Sequence, residues 1–67
     1  MIFINGQPTD VESGATVTAA LERLGIEPGA RGIAVAVDGE VVPRSCWTQR
    51  ALEPDSRVEV LTAIQGG

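Results

Sequence analysis

The chain opens on a short apolar run, Met1 to Ile4, closed by Asn5-Gly6. Asparagine and glycine both tolerate positive φ, so this pair predicts a tight hairpin turn. Gln7 to Glu12 is then the returning strand, and Pro8 places it at a sheet edge, where a missing N–H is tolerated. After the connector Ser13-Gly14-Ala15, the period changes. Val17, Ala20, Leu21 and Leu24 recur at helical spacing, with Thr16 in front as N-cap and Gly25 behind as C-terminal stop. Thr18, Glu22 and Arg23 fall on the opposite, wet side. Ile26 to Gly32, carrying Pro28, Gly29 and Gly32, reads as a loop.

The second half repeats the hairpin signal. Ile33-Ala34-Val35-Ala36-Val37 is apolar on both faces, as in an interior strand. Asp38-Gly39 turns it back into Glu40-Val41-Val42, which Pro43 ends. Arg44 to Leu52 predicts only a short irregular or 3₁₀ stretch. Glu53-Pro54-Asp55-Ser56 is a turn cluster. The last strand starts at Arg57, with Val58 and Val60 alternating against Arg57 and Glu59.

The order is thus β-β-α-β-β-β. One helix covers one face of a small sheet, so the expected fold is a two-layer α+β domain. The first and last strands should lie side by side under the helix. The expected division is a globular domain over residues 1–64 and a C-terminal Gly-Gly tail over 65–67.

Length sets the next limit. A chain of 67 residues, 43% of them hydrophobic, builds one small core with little room for a deep cleft. Nine acidic residues against five arginines give a net charge of -4, which disfavours phosphate backbones as partners and suits a basic groove on another protein. There is no histidine and one cysteine, so neither a His-based acid–base pair nor a Cys/His metal cluster can be assembled. A single cysteine forms no internal disulfide and fits a reducing compartment. The start lacks the charged segment of a signal peptide, and the longest apolar run, Ile33 to Val37, is too short to span a bilayer. The expected location is cytoplasmic.

Candidate chemistry gathers at the end of the chain, Leu61-Thr62-Ala63-Ile64-Gln65-Gly66-Gly67. Glycine holds a strand poorly but enters a narrow channel well, because no Cβ meets the walls. Extended at about 3.3–3.6 Å per residue, Gln65 to Gly67 carry a carboxylate about 10 Å outward, far enough to enter another protein's active site. That carboxylate is ionised at neutral pH and must be activated before a nucleophile can attack it. A second candidate surface is apolar. Alternation turns Ile2, Ile4, Val58 and Val60 toward the helix and leaves Phe3 and Leu61 together on the uncovered face, a possible docking patch or ordinary surface apolarity.

The element order, Asn5-Gly6 in the first hairpin, Ala15-Thr16-Val17 at the helix entry, Val42-Pro43-Arg44 followed by Trp47, and the terminal Ala63 to Gly67 together resemble the ThiS family. These are ubiquitin-like β-grasp sulfur carriers of bacterial thiamine biosynthesis, related to the MoaD carriers. The resemblance runs over essentially the whole chain, and Val-Pro-Arg with its following tryptophan is the discriminating part.

It implies a carrier rather than an enzyme. The terminal carboxylate, here Gly67, would be adenylated by an E1-like adenylyltransferase (ThiF), which consumes ATP. Sulfur drawn from cysteine through a desulfurase would displace AMP to leave a thiocarboxylate, and thiazole synthase (ThiG) would take that sulfur into the thiazole ring. Gly66 and Gln65 would be the segment that fits the channel, with no cofactor or metal bound to the carrier itself.

Other readings stay open beside this one. The small subunit of molybdopterin synthase uses the same tail chemistry, and a plain β-grasp interaction module would make the glycines a loose end. The chain has no lysine, so it offers no side-chain acceptor for isopeptide chains of itself. Cys46, beside the motif tryptophan, suits a relay of persulfide to the tail or, more simply, a small and partly buried apolar residue. Trp47 is expected in the core or as a lid. Arg44 is expected to pin the turn after Pro43 through a carboxylate nearby. The glycines from Gly25 to Gly32 form no phosphate cradle, since no strand leads into them and no helix or lysine follows.

Overall fold

The computed structural model describes residues 1–62. Over that span the elements are β1 (Ile2–Ile4), β2 (Gln7–Thr9), α1 (Val17–Arg23), β3 (Ile33–Val37), β4 (Glu40–Val41), one 3₁₀ turn (Arg44–Cys46) and β5 (Arg57–Thr62). The sheet order is β2-β1-β5-β3-β4. The last strand is therefore central, parallel to β1 and antiparallel to β3. This is the ubiquitin-like β-grasp arrangement, with first and last strands adjacent as expected. The expected boundary between residues 64 and 65 lies outside the described residues.

Both hairpins turn through two residues of positive φ: Asn5 at 51° with Gly6 at 81°, and Asp38 at 50° with Gly39 at 85°. These are the values that match the twist of flanking strands. The first hairpin pairs Ile2 with Thr9, Phe3 with Pro8 and Ile4 with Gln7. β2 is shorter than the expected Gln7 to Glu12, because β1 starts at Ile2 and offers no partner beyond Thr9. Pro8 does sit on an edge strand.

The helix is short but fully capped at its start. Thr16 Oγ1 accepts from Ala19 N at 3.3 Å, Thr18 N donates to Trp47 O and Val17 N to Arg50 O. The first helical N–H groups, which have no partner inside a helix, are thus satisfied by the cap and by the 47–50 segment.

The far end departs from the pattern. Gly25 N donates to Glu22 O and Ile26 N to Leu21 O, the paired bonds of a Schellman reversal, with Gly25 at φ 78°. That reversal folds Ile26 back against the core. Leu24, expected in the apolar stripe, instead stands 43% exposed at the helix end. The stripe is therefore Val17, Ala20 and Leu21, with Ile26 taking the fourth place.

The core forms between helix and sheet. Ile2, Ile4, Val35, Val37, Val58 and Val60 point inward from the strands, and Val42, Trp47 and Leu52 close one side. Trp47 is 2% exposed, and its Nε1 donates to Val42 O at 2.9 Å. Arg44 lies over the Trp47 ring at 4.5 Å. Its guanidinium donates to the carbonyls of Pro28 and Ala30. Arg44 is structural, as expected, but it ties down the loop before β3 through backbone carbonyls and not a carboxylate.

Candidate functional site

The residues expected to carry the chemistry, Gln65, Gly66 and Gly67, lie outside the described residues. What the structure does show is β5, the strand that precedes them in the chain. β5 runs through the middle of the sheet, and its inward side chains, Val58 and Val60, are buried under the helix. Arg57, Glu59 and Leu61 alternate onto the opposite face. That face carries no helix among the described elements.

Cross-strand pairing fixes which residues share it. Side chains directly opposite in a ladder stand on the same face. Leu61 pairs with Ala34, Glu59 with Ala36, and Ala36 in turn with Val41. Phe3 pairs with Arg57 on the other flank of β5. Phe3 and Leu61 therefore do share the open face, as the alternation predicts, but they are not side by side. Four positions of β5, or about 13 Å, separate Leu61 from the residue opposite Phe3. Phe3 is half-buried beside Gly6, Arg57 and Glu59, whereas Leu61 is 65% exposed.

The more strongly apolar part of the face is Leu61 with Ala34, Ala36 and Val41, the last 72% exposed. Residue-by-residue reading missed Ala34 and Val41. The signal was present: β3 is apolar at every position, and a two-residue Asp38-Gly39 turn sets Val41 opposite Ala36. The covered face of β3 takes Val35 and Val37, which leaves the small alanines on the open one.

Cys46 is exposed, at the end of the 3₁₀ turn, and not the partly buried residue expected. A single 3₁₀ turn projects one side into the core, and Trp47, next in the chain, occupies that place. Among the described residues no group of three or more His, Cys, Asp or Glu is placed to hold a metal ion. No helix of the described residues is long and apolar enough to cross a membrane.

Comparison with known proteins follows the same lines. The family model described as the ThiS family matches residues 2–67. The sulfur carrier protein ThiS of Escherichia coli is 30% identical over 66 residues, which cover 98% of this chain and 97% of that protein. The thiazole synthases of Paramagnetospirillum magneticum and Magnetococcus marinus are 33% and 35% identical over 66 residues, 98% of this chain. The chain spans only 20% of the length of each of these two enzymes.

Among solved structures, the crystal structure of the thiamine biosynthesis protein ThiS from Geobacter metallireducens superposes with a TM-score of 0.79. It is 28% identical, with 98% of this chain and 97% of that one covered. A solution structure of a thiamine biosynthesis protein from the same organism gives 0.74 at 27% identity, covering 98% of this chain and 86% of that one. With the motif tryptophan in the core, β5 at the centre of the sheet and a family match running from the first strand through Gly67, the chain belongs to the ThiS family.

Proposed function

We propose that this chain is a sulfur carrier for thiazole formation in thiamine biosynthesis, a protein co-substrate acted on by other enzymes. Its near full-length match to the Escherichia coli sulfur carrier protein ThiS carries that reading. In it, the Gly67 carboxylate attacks the α-phosphate of ATP on a partner adenylyltransferase, releasing pyrophosphate and forming an acyl-adenylate. A sulfur nucleophile derived from cysteine then displaces AMP. With a donor persulfide as that nucleophile the product is an acyl disulfide; a thiol then attacks its donor-side sulfur, leaving a thiocarboxylate on Gly67 and a disulfide on the donor.

Thiazole synthase is the proposed consumer of that sulfur. Two enzymes of that name contain a segment similar to this whole chain, which supports the pairing. ATP belongs to the activating partner, and the carrier binds no cofactor of its own. The reaction is proposed to run in the cytoplasm. Gly66 and Gln65 are the residues that enter the partner's channel. Catalytic groups come from the partners, in keeping with a sequence that has no histidine.

Incubation with a cognate adenylyltransferase, ATP and a sulfur source should give an intact mass with one oxygen replaced by sulfur, located at Gly67 by fragmentation. An unchanged mass under conditions where the adenylyltransferase forms acyl-adenylate on another carrier would refute the proposal.

The open sheet face is the proposed docking surface for the activating enzyme. Leu61→Glu is expected to weaken the complex about tenfold or more, since a large exposed side chain at the centre of an apolar contact is replaced by a charge. Phe3→Glu should cost less, because Phe3 is already half-buried against its own strand neighbours. Calorimetric titration of both variants against the enzyme measures the difference. Equal, wild-type affinities would return Leu61 to ordinary surface.

A further inference from the structure

The first hairpin turn does more than reverse the chain. β1 pairs with β5 only through Phe3 and Ile4, and its last bond to that strand is Asn5 N to Val58 O at 2.8 Å. At Gly6 the backbone has already turned toward β2. β5, by contrast, continues through Thr62 with β3 paired along its other edge. On the β1 edge, Val60 would have its N–H and carbonyl left open.

Asn5 fills that gap with its side chain. Oδ1 accepts from Val60 N at 2.9 Å, and Nδ2 donates to Val60 O at 3.1 Å. The carboxamide reproduces the donor and acceptor that another strand residue would present.

The second hairpin makes a related contact at the other end of the same strand. Asp38 N donates to Arg57 O at 2.7 Å, and Asp38 Oδ1 accepts from Arg57 N at 2.9 Å. There the backbone already supplies the donor, so a side chain that only accepts is sufficient. At residue 5 both functions must come from the side chain, which requires an amide. The two left-handed turn positions thus hold the central strand at both ends, and each carries the side chain its own end demands. Turn chemistry alone would accept either residue at either place.

We propose that Asn5 is a positioning residue for the C-terminal segment: its carboxamide holds Val60 by both backbone groups and so sets the heading of β5 where the chain is delivered toward Gly66-Gly67. The proposal rests on the carrier reading for its consequence in catalysis, though not for the clasp itself. It concerns presentation of the reacting end, whereas docking belongs to the open face.

The test compares the full-length chain with Asn5→Gly and Asn5→Asp. Glycine keeps the positive φ and removes the clasp; aspartate keeps the acceptor and removes the donor. In Asn5→Gly, the Val60 amide should exchange with solvent about tenfold faster, as expected for losing its only partner on that edge, while Val35 and Val37 remain protected. Nitrogen relaxation should show added motion at Leu61 and Thr62. Adenylation of Gly67 should lose about fivefold in kcat with KM for the carrier nearly unchanged, because a misaimed end lowers the reactive population and not the docking. Asn5→Asp should restore most of the Val60 protection and fall between the two in kcat.

Unaltered Val60 exchange in Asn5→Gly would overturn the clasp. Lost protection with an unaltered kcat would overturn its positioning role. A wild-type chain that is never adenylated would count against the carrier reading instead. In that case the relaxation of Leu61 and Thr62 decides the present proposal, upheld by added motion and overturned by none.

Discussion

Trp47→Ala is expected to remove most of the stability of this domain. Trp47 is 2% exposed and packs in the cluster formed with Val42 and Leu52 at one side of the core. Truncating a buried tryptophan typically costs about 3–5 kcal/mol, the loss of burial plus the cavity left behind. The change also strips Val42 O of its donor and leaves Arg44 with no ring to lie over. A domain of this size has only about 3–10 kcal/mol in total. The unfolding midpoint in urea, followed by circular dichroism because the tryptophan itself is gone, should fall to near zero denaturant. Trp47→Phe separates the two contributions. It keeps much of the volume and loses the bond to Val42 O, so it should cost about 1–3 kcal/mol. A Trp47→Ala variant with a near wild-type midpoint would show that the 42–52 segment packs independently of its only tryptophan.

Gly66→Val is expected to abolish adenylation while the fold survives. A β-branched side chain adds bulk next to the backbone and restricts φ and ψ to fewer regions, both harmful in the narrow partner channel proposed above. Misplacing a reacting atom by about 1 Å can cost about a hundredfold in rate, so the loss should be at least that large. In the expected division residue 66 belongs to the tail and not to the globular domain, so the midpoint of thermal unfolding should not move. Pyrophosphate exchange with the activating enzyme reads the first effect and calorimetry the second. Gly66→Ala should lose less, which would mark the defect as steric. Full activity in Gly66→Val would mean the partner's channel is wide at that point.

The two variants probe different layers of the molecule, and their legibility in the chain differed for physical reasons. Local signals were reliable where one residue type is needed by the backbone itself. Asn5-Gly6 and Asp38-Gly39 occupy positive φ, Thr16 caps the helix, and Gly25 supports the reversal behind it. Leu24 shows where periodicity fails. Its spacing fits the stripe, but the helix ends at Arg23, and the reversal through Gly25 returns Ile26 to the core in its place. Cys46 shows the limit of residue-type preference, since burial of a small apolar side chain depends on which side of a single 3₁₀ turn it occupies.

The open face of the sheet was half legible. Alternation along β1 and β5 placed Phe3 and Leu61 on one side, and that is where they lie. Their separation depends on the parallel register, Phe3 opposite Arg57, which no property of either strand specifies alone. Register between strands far apart in the chain is set by how the whole core closes, through Ile4 and Val58 meeting under the helix. The same closure brought Ala34 and Val41 to the face with Leu61.

The sequence by itself determined the element order, both hairpin turns, the helix cap and the inward valines, because each follows from contacts or dihedral limits within a few residues. Only the tertiary structure decided that Arg44 reaches the Pro28 and Ala30 carbonyls and that Asn5 holds Val60, 55 positions away. Such bonds join groups that become neighbours only once the strands have paired, β1 with β5 for Asn5 and β3 with β4 for Arg44. No local pattern of polarity encodes them, since the partners are backbone atoms that every residue carries.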